Sequence, residues 1–173
     1  VHQILDHVSF KEAALLEPLA CVVHGNGLAD IGLGDTVAIV GAGPIGLLHL
    51  QLAKHGGAGK VIVIDVSDAR LESAHKLGAD GTVNPEKDNQ IRKVVELTGG
   101  LGADVAIEAV GLPETWENAI RMTRKGGTAI LFGGCPSGTS VPVDTGKLHY
   151  GELTIRGAFH HTPSSVEKAL RVI

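Results

Sequence analysis

The chain has 173 residues, a formal net charge of −4 at pH 7 and 43% hydrophobic residues, which predicts one domain that buries about 70% of its unfolded surface. The negative charge and the lack of a basic block argue against a nucleic acid partner, and no apolar run approaches the roughly 18 residues of a membrane span. Two cysteines, far apart in the sequence and without a signal peptide, favour free thiols and predict a cytoplasmic location.

The first 30 residues are predicted to be a helical lead-in. Ser9 and Glu12 form a capping box, in which a serine and a glutamate three residues later satisfy free N–H groups at the start of a helix. Pro18 can open a second helix, which we expect to reach about Leu28, because proline is favoured in the first helical turn. The lead-in therefore comprises residues 1–30.

From residue 31 onwards, apolar runs alternate with amphipathic helical stretches. The predicted strands are 36–40, 61–65, 82–83, 104–109, 128–132 and 153–158, and the predicted helices are 44–55, 68–77, 87–97, one that begins at Pro113 and one that begins at Pro163. Strands joined by crossover helices form parallel sheets, and such crossovers are right-handed. Residues 31–173 are therefore predicted to form an α/β, doubly wound six-stranded parallel sheet (Rossmann fold) with strand order 3-2-1-4-5-6.

A glycine motif joins the first predicted strand to the next helix: Gly41-Ala42-Gly43-Pro44-Ile45-Gly46. In such a turn the first glycine permits a tight bend, the second lets the backbone approach a diphosphate, and the third lets the helix pack closely on the strand. The helix N-terminus adds free N–H groups and the positive end of its dipole. A plain tight turn has the same composition, but the position between strand and helix favours a dinucleotide pyrophosphate site.

Asp65 ends the second predicted strand, 19 residues after Gly46, close to the spacing expected for the acid that binds the adenosine ribose hydroxyls. A carboxylate accepts hydrogen bonds from a ribose diol but repels a 2′-phosphate, so the sequence favours NAD over NADP. Arg70 lies one turn into the next helix, where it has three possible roles: covering the adenine, pairing with Asp65, or remaining a solvated helix residue.

Two further loops are expected at the same end of the sheet. Ala109-Val110-Gly111 follows the fourth strand and Gly133-Gly134-Cys135 follows the fifth. Ligands of doubly wound sheets bind where the strand order reverses, outside the carboxyl ends of the strands. We therefore predict that these loops line the nicotinamide half of the site, although loops that simply need small residues would look the same.

A longer set of motifs resembles the zinc-dependent medium-chain dehydrogenases, with the polyol and threonine dehydrogenase branch as the best fit. The motifs are Ala13-Ala14-Leu15-Leu16-Glu17-Pro18-Leu19-Ala20-Cys21, the glycine motif, Leu77-Gly78-Ala79-Asp80 and Leu153-Thr154-Ile155-Arg156-Gly157. The resemblance covers essentially the whole chain, but it corresponds only to the family's coenzyme domain. The chain starts at Val1 and stops at Ile173 inside a predicted helix, so we expect a segment whose catalytic domain lies elsewhere.

The resemblance implies that hydride passes between the carbinol carbon of an alcohol or polyol and NAD, while zinc polarises the alcohol oxygen. It places Cys21 beside the nicotinamide, Ile45 against the ring, and the backbone of Ala158 and Phe159 near the carboxamide. Glu17 matches an acid that contributes to, or lies just outside, the zinc shell. We expect zinc in the full-length enzyme but not in this segment, because the sequence has no Cys-x-x-Cys and no His-Glu pair.

The resemblance and the predicted edge position of residues 153–157 together suggest a homodimer, or a tetramer, built through that strand. Three other functions share parts of the pattern. A nucleotide-sensing module usually begins at the first strand and lacks such a lead-in, and a methyltransferase that binds S-adenosylmethionine does not require this glycine spacing. A zinc-free quinone reductase remains open, although Glu17-Pro18-Leu19 favours the zinc-dependent branch.

Overall fold

The computed structural model describes residues 3–4, 6 and 8–173. Its centre is a six-stranded parallel sheet with the order β3-β2-β1-β4-β5-β6, which confirms the predicted fold class and strand order. The strands are β1 (Thr36–Val40), β2 (Lys60–Ile64), β3 (Gly81–Val83), β4 (Ala103–Glu108), β5 (Thr123–Leu131) and β6 (Thr154–Gly157). The helices are α1 (Phe10–Ala13), α2 (Leu16–Ala29), α3 (Pro44–His55), α4 (Asp68–Lys76), α5 (Gln90–Leu97), α6 (Pro113–Met122), α7 (Thr145–Tyr150) and α8 (Pro163–Val172).

Helices cover both faces of the sheet, because successive side chains of a strand point to opposite faces. Val37 and Ile39 of β1 pack with Leu50 of α3 in a cluster that also contains residues of α2 and α4. Ala38 and Val40 face the other side, where they pack with residues of α5 and α6. The central strands are thus apolar on both faces, which explains why they read as continuous hydrophobic runs.

The second lead-in helix, α2, packs on the sheet domain. The capping box of Ser9 and Glu12 is present, and α2 begins at Leu16, so that Pro18 lies in its first turn. Leu19 in α2 belongs to a small core cluster with Ala169 in α8. The division between residues 1–30 and 31–173 stays a prediction.

Most strand bounds differ by one residue from the sequence-based expectation, and β2 ends at Ile64, so that Asp65 follows the strand. Two starts and one helix differ more. β5 begins at Thr123, five residues before the expected 128, because Thr123 pairs with Ala103 of β4. The register between the two strands shifts after this pair. The first residues of β5 are polar or glycine, so they did not indicate a strand. α5 begins at Gln90 rather than at 87, because Asn89 accepts the hydrogen bond that caps it. The short α7 was missed, although Asp144 caps it by accepting from the Lys147 N–H.

Candidate functional site

The glycine loop between β1 and α3 has the tight geometry that its sequence predicts. Gly41 has φ of +104°, a conformation that favours glycine. A Cβ at Gly46 would overlap the carbonyl oxygen of Gly41, so the helix lies directly on the end of the strand. A Cβ at Gly43 would instead meet no atom within 4 Å. The loop is thus closed on its helix side and open at Gly43, with Pro44 as the first residue of α3.

Asp65 is the first residue after β2, and its side chain is only 6% exposed. Oδ2 accepts a hydrogen bond from the Ala42 N–H at 2.7 Å, and Oδ1 accepts one from the Ser67 N–H at 2.9 Å. The carboxylate therefore ties the exit of β2 to the glycine loop. Nη1 of Arg70 lies 3.7 Å from Oδ2, while the Arg70 side chain is 60% exposed. Of the three roles expected for Arg70, this geometry favours pairing with Asp65.

A cavity of about 390 Å³ opens beside Asp65, and we name it the β2-side cavity. Its lining includes Gly41, Asp65, Arg70, Gln90, Val110 and Thr115. One wall is held by Asn84 after β3, whose amide donates to the Val66 carbonyl and to Oδ1 of Asp68. Hydrogen bonds from Lys87 and Asn84 lower the pKa of Asp68. The loops after β2 and β3 are thereby fixed to one another.

Glu108 ends β4 and is fully buried, at 0% exposure. Its Oε1 accepts from the N–H groups of Val110 and Gly111, both at 2.8 Å, and from the Thr115 hydroxyl at 2.7 Å. Its Oε2 has no hydrogen-bond partner among the described residues. Glu108 was not among the predicted site residues, although an acid at the end of an otherwise apolar strand is a visible signal. This carboxylate shapes the whole predicted loop of residues 109–111.

A second cavity, of about 510 Å³, opens beyond β5, and we name it the β5-side cavity. Most of the remaining predicted site residues line it: Glu17, Cys21, Ile45, Gly133, Gly134, Ala158 and Phe159. Phe159 is 84% exposed, and the next residue, His160, has φ of +58°, which is uncommon for a residue other than glycine. Gly41 borders the β2-side cavity and Ile45 borders the β5-side cavity, so the glycine loop lies between the two.

Glu17 and Cys21 lie one helical turn apart on α2. The Cys21 thiol donates to Oε1 of Glu17 at 3.2 Å. Partial burial, together with the hydrogen bond to Glu17 and its charge, raises the pKa of Cys21 to about 11. The thiol is therefore protonated at neutral pH and is a poor nucleophile. Nε2 of His161 lies 3.9 Å from the same Glu17 oxygen.

A larger cavity, of about 690 Å³, lies away from these residues, between α5, α6 and the segment that leads into α7. Lys147 borders it and donates to the carbonyls of Arg121 and Thr123, and burial lowers the pKa of Lys147. The glycine loop does not border this cavity. The candidate site therefore remains the crevice at the carboxyl ends of β1, β2, β4 and β5.

A comparison with protein families identifies the family of the chain. Residues 44–173, three quarters of the chain, match the family model described as zinc-binding dehydrogenase. The chain belongs to the zinc-binding dehydrogenase family. This match confirms the resemblance that the sequence motifs indicated.

The sequences and structures of individual relatives support this assignment. Sorbitol dehydrogenase of Bacillus subtilis (strain 168) is 34% identical over 170 residues, which cover 96% of this chain and 48% of that protein. A Sinorhizobium meliloti 1021 structure, described as a zinc-binding dehydrogenase bound to NADP, has a TM-score of 0.94 at 34% identity and covers 99% of this chain and 50% of that chain. Alcohol dehydrogenase TADH from Thermus sp. ATN1 has a TM-score of 0.92 at 30% identity, over 99% and 49% of the two chains.

The chain spans about half the length of the curated relatives that it matches. Within residues 3–4, 6 and 8–173, no group of three or more His, Cys, Asp or Glu side chains is arranged to hold a metal ion. A zinc site needs three or four protein ligands, so Glu17 alone does not provide one. None of the helices in the described part of the chain is both long enough and apolar enough to cross a membrane.

Proposed function

We propose that this chain is the NAD-binding domain of an alcohol or polyol dehydrogenase, in which hydride passes between a secondary alcohol and the nicotinamide ring. The observation that carries the proposal is the contact between Asp65 and the glycine loop. A carboxylate that is fixed by two backbone N–H groups, 2.7 and 2.9 Å away, lies beside the N-terminus of α3 and borders a cavity.

The glycine loop would hold the pyrophosphate of the cofactor. The open space at Gly43 lets the backbone approach the diphosphate oxygens. The first N–H groups of α3 and the positive end of its dipole would face the same oxygens. Because Gly46 packs against Gly41, the helix start is fixed in this position before the cofactor binds.

Asp65 would select NAD over NADP. Its carboxylate can accept hydrogen bonds from both ribose hydroxyls, each worth about 1.5 to 3 kcal/mol to a charged group. A 2′-phosphate at about 4 Å would instead be repelled by roughly 4 kcal/mol at an effective dielectric constant of 20. The Sinorhizobium meliloti structure is bound to NADP, so this preference rests on Asp65 itself and not on the comparison.

The β5-side cavity would receive the nicotinamide. Ile45 would press on the ring, Cys21 would lie beside it, and Gly133, Gly134, Ala158 and Phe159 would border it. The loop of residues 109–111 was expected at the same half of the cofactor, but its Val110 borders the β2-side cavity. We propose that Glu17 lies in or next to a zinc shell that other residues of the whole enzyme complete. When bound, zinc would polarise the alcohol oxygen.

Assembly and location remain proposals. β6 lies at the edge of the sheet, as predicted, and its backbone groups on one side have no partner strand in the described chain. Such an edge can pair with a second copy of itself about a twofold axis, so we propose a homodimer, or a tetramer, through residues 153–157. The cytoplasmic location expected from the cysteine content stays a prediction.

Calorimetric titration of the chain with NADH and NADPH tests the proposed function. We expect NADH to bind more tightly. Asp65→Asn, which removes the charge with little change in size, should weaken NADH about 10- to 100-fold, because it loses charge-assisted hydrogen bonds. It should weaken NADPH much less, since it also removes the repulsion.

Asp80→Asn is the matched control. Asp80 also accepts from a backbone N–H, that of Val61 at 2.7 Å, but it borders neither cavity of the crevice. It should leave the ratio of the NADH and NADPH dissociation constants unchanged. Failure of the unmodified chain to bind either dinucleotide would refute the proposed function, and equal affinities would refute the role of Asp65.

A further inference from the structure

The loop after β5 lies tightly against the exit of β4. The N–H groups of Phe132 and Gly133 both donate to the Glu108 carbonyl at 3.0 Å. A Cβ at Gly133 would lie 2.7 Å from Oε2 of Glu108, and a Cβ at Gly111 would lie 2.6 Å from the Gly134 carbonyl oxygen. The two loops therefore touch through backbone atoms, with no room for side chains between them.

The other side of this loop faces the β5-side cavity. A Cβ at Gly134 would meet no atom within 4 Å, the same open geometry that Gly43 has in the glycine loop. Gly133 and Gly134 thus form a ledge, with its underside packed on β4 and its upper side open to the cavity. Two consecutive glycines have the greatest backbone freedom, so a rigid ledge needs a contact that holds it.

Trp116 in α6 makes such a contact. Its indole Nε1 donates to the Gly133 carbonyl oxygen at 2.7 Å. The half-buried ring lines both the β5-side cavity and an adjoining cavity of about 420 Å³ beside β6. Trp116 is the single tryptophan of the chain.

We propose that Trp116 is a positioning residue for the nicotinamide end of the cofactor, because its indole N–H fixes the Gly133–Gly134 ledge on which that end rests. The inference depends on the proposed function, in that it takes the β5-side cavity as the nicotinamide half of an NAD site. The adenosine end lies on the far side of the glycine loop, beside Asp65. Loss of the indole hydrogen bond should therefore affect one half of the cofactor and not the other.

Calorimetry with two ligands separates the halves. NADH carries the nicotinamide, whereas ADP-ribose keeps the adenosine and the diphosphate but lacks it. Trp116→Phe keeps an aromatic ring and removes the N–H. We expect it to raise the dissociation constant of NADH about three- to tenfold, within the range of one neutral hydrogen bond, and that of ADP-ribose by less than about 1.5-fold.

Glu117→Gln, a change at the adjacent residue of α6, is the control and should alter neither constant. Equal weakening of NADH and ADP-ribose by Trp116→Phe would indicate a general structural role and overturn the inference, as would no effect on either ligand. If the unmodified chain bound neither ligand, the proposed function would fail and this inference with it. Normal binding of both ligands together with an equal effect of the variant would refute the inference alone.

A measurement on the unmodified chain does not depend on the folding of the variant. The indole N–H of the single tryptophan gives one signal in a proton–nitrogen correlation spectrum. Saturating NADH should shift this signal and slow its hydrogen exchange, because the ledge becomes covered. Saturating ADP-ribose should leave both properties close to those of the free chain, and an equal response to the two ligands would overturn the inference.

Discussion

The β2-side and β5-side cavities flank one glycine loop but are built in different ways. Beside the β2-side cavity, the charged groups Asp65 and Arg70 lie within 3.7 Å of each other, and Asp65 is fixed by backbone N–H groups. The β5-side cavity is bordered by glycine backbone, by the exposed Phe159 and, at one end, by Glu17 with the protonated Cys21 thiol that donates to it. The first arrangement suits selection by charge, whereas the second suits close approach of a planar ring to the backbone.

The largest expected effect comes from the glycine loop, which the two cavities share. Gly46→Ala forces a Cβ into the Gly41 carbonyl, so we expect it to lower the free energy of unfolding by roughly 1 to 3 kcal/mol or more. Gly43→Ala meets no atom and should leave this free energy nearly unchanged, yet it should weaken NADH strongly, because the Cβ would occupy the space of the diphosphate.

Urea unfolding and calorimetric titration of both variants measure these effects. NADH and ADP-ribose should lose equal affinity for Gly43→Ala, since both ligands carry the diphosphate. If Gly43→Ala bound NADH as tightly as the unmodified chain, the loop would be only a tight turn. The β2-side and β5-side cavities would then not be the two halves of one cofactor site.

The sequence pointed to the two cavities by different routes: local spacing indicated the residues of the β2-side cavity, whereas the family resemblance indicated most of those of the β5-side cavity. The glycine motif and Asp65 are recognised by fixed spacing between neighbouring elements, because β1, α3 and β2 form one local unit. The roles of Glu108 and Trp116 depend instead on how α6 packs over the ends of β4 and β5. The hydrogen bond from Trp116 to Gly133 joins residues 17 positions apart, and no local pattern marks it.

The same contrast applies to the fold. Strand order followed from six apolar runs alternating with helices, and the structure confirms it. The polar start of β5 was missed because it is stabilised by pairing with β4. The short α7 was missed because it has only six residues and depends on the cap that Asp144 provides. Tertiary contacts decide such elements more than hydrophobic periodicity does.

The stability of the fold behind the β5-side cavity should depend on pH. His49 in α3 is fully buried, and its Nδ1 lies 2.7 Å from the side-chain oxygen Oδ1 of Asn26. Its ring packs edge-on against Phe132, which lines the cavity. Burial lowers the pKa of His49 from 6.5 to about 3. Below pH 6.5 the histidine is therefore protonated in the unfolded chain but stays neutral in the folded chain. The contribution of His49 to the free energy of unfolding is present above pH 6.5 and is lost as the pH falls towards 3.

The expected loss is about 2 kcal/mol of unfolding free energy between pH 7 and pH 5. Urea unfolding at the two pH values measures it. His49→Gln should reduce this loss, whereas His55→Gln, at an exposed histidine at the end of the same helix, should preserve it. An equal pH dependence in all three proteins would show that His49 is not the group responsible.

The smallest expected effect is on cofactor preference and comes from Arg70, which lines the β2-side cavity. Its guanidinium lies 3.7 Å from Asp65 but is 60% exposed, so the pair is screened by solvent and contributes at most about 1 kcal/mol. If Arg70 only offsets the charge of Asp65, Arg70→Ala should widen the preference for NADH over NADPH by about two- to fivefold, and added salt should reduce the change. Titration of both dinucleotides at low and high ionic strength measures it. A narrower preference after the substitution would show that Asp65 gains its selectivity with the help of Arg70, and the β2-side cavity would then select by a pair of charges and not by the carboxylate alone.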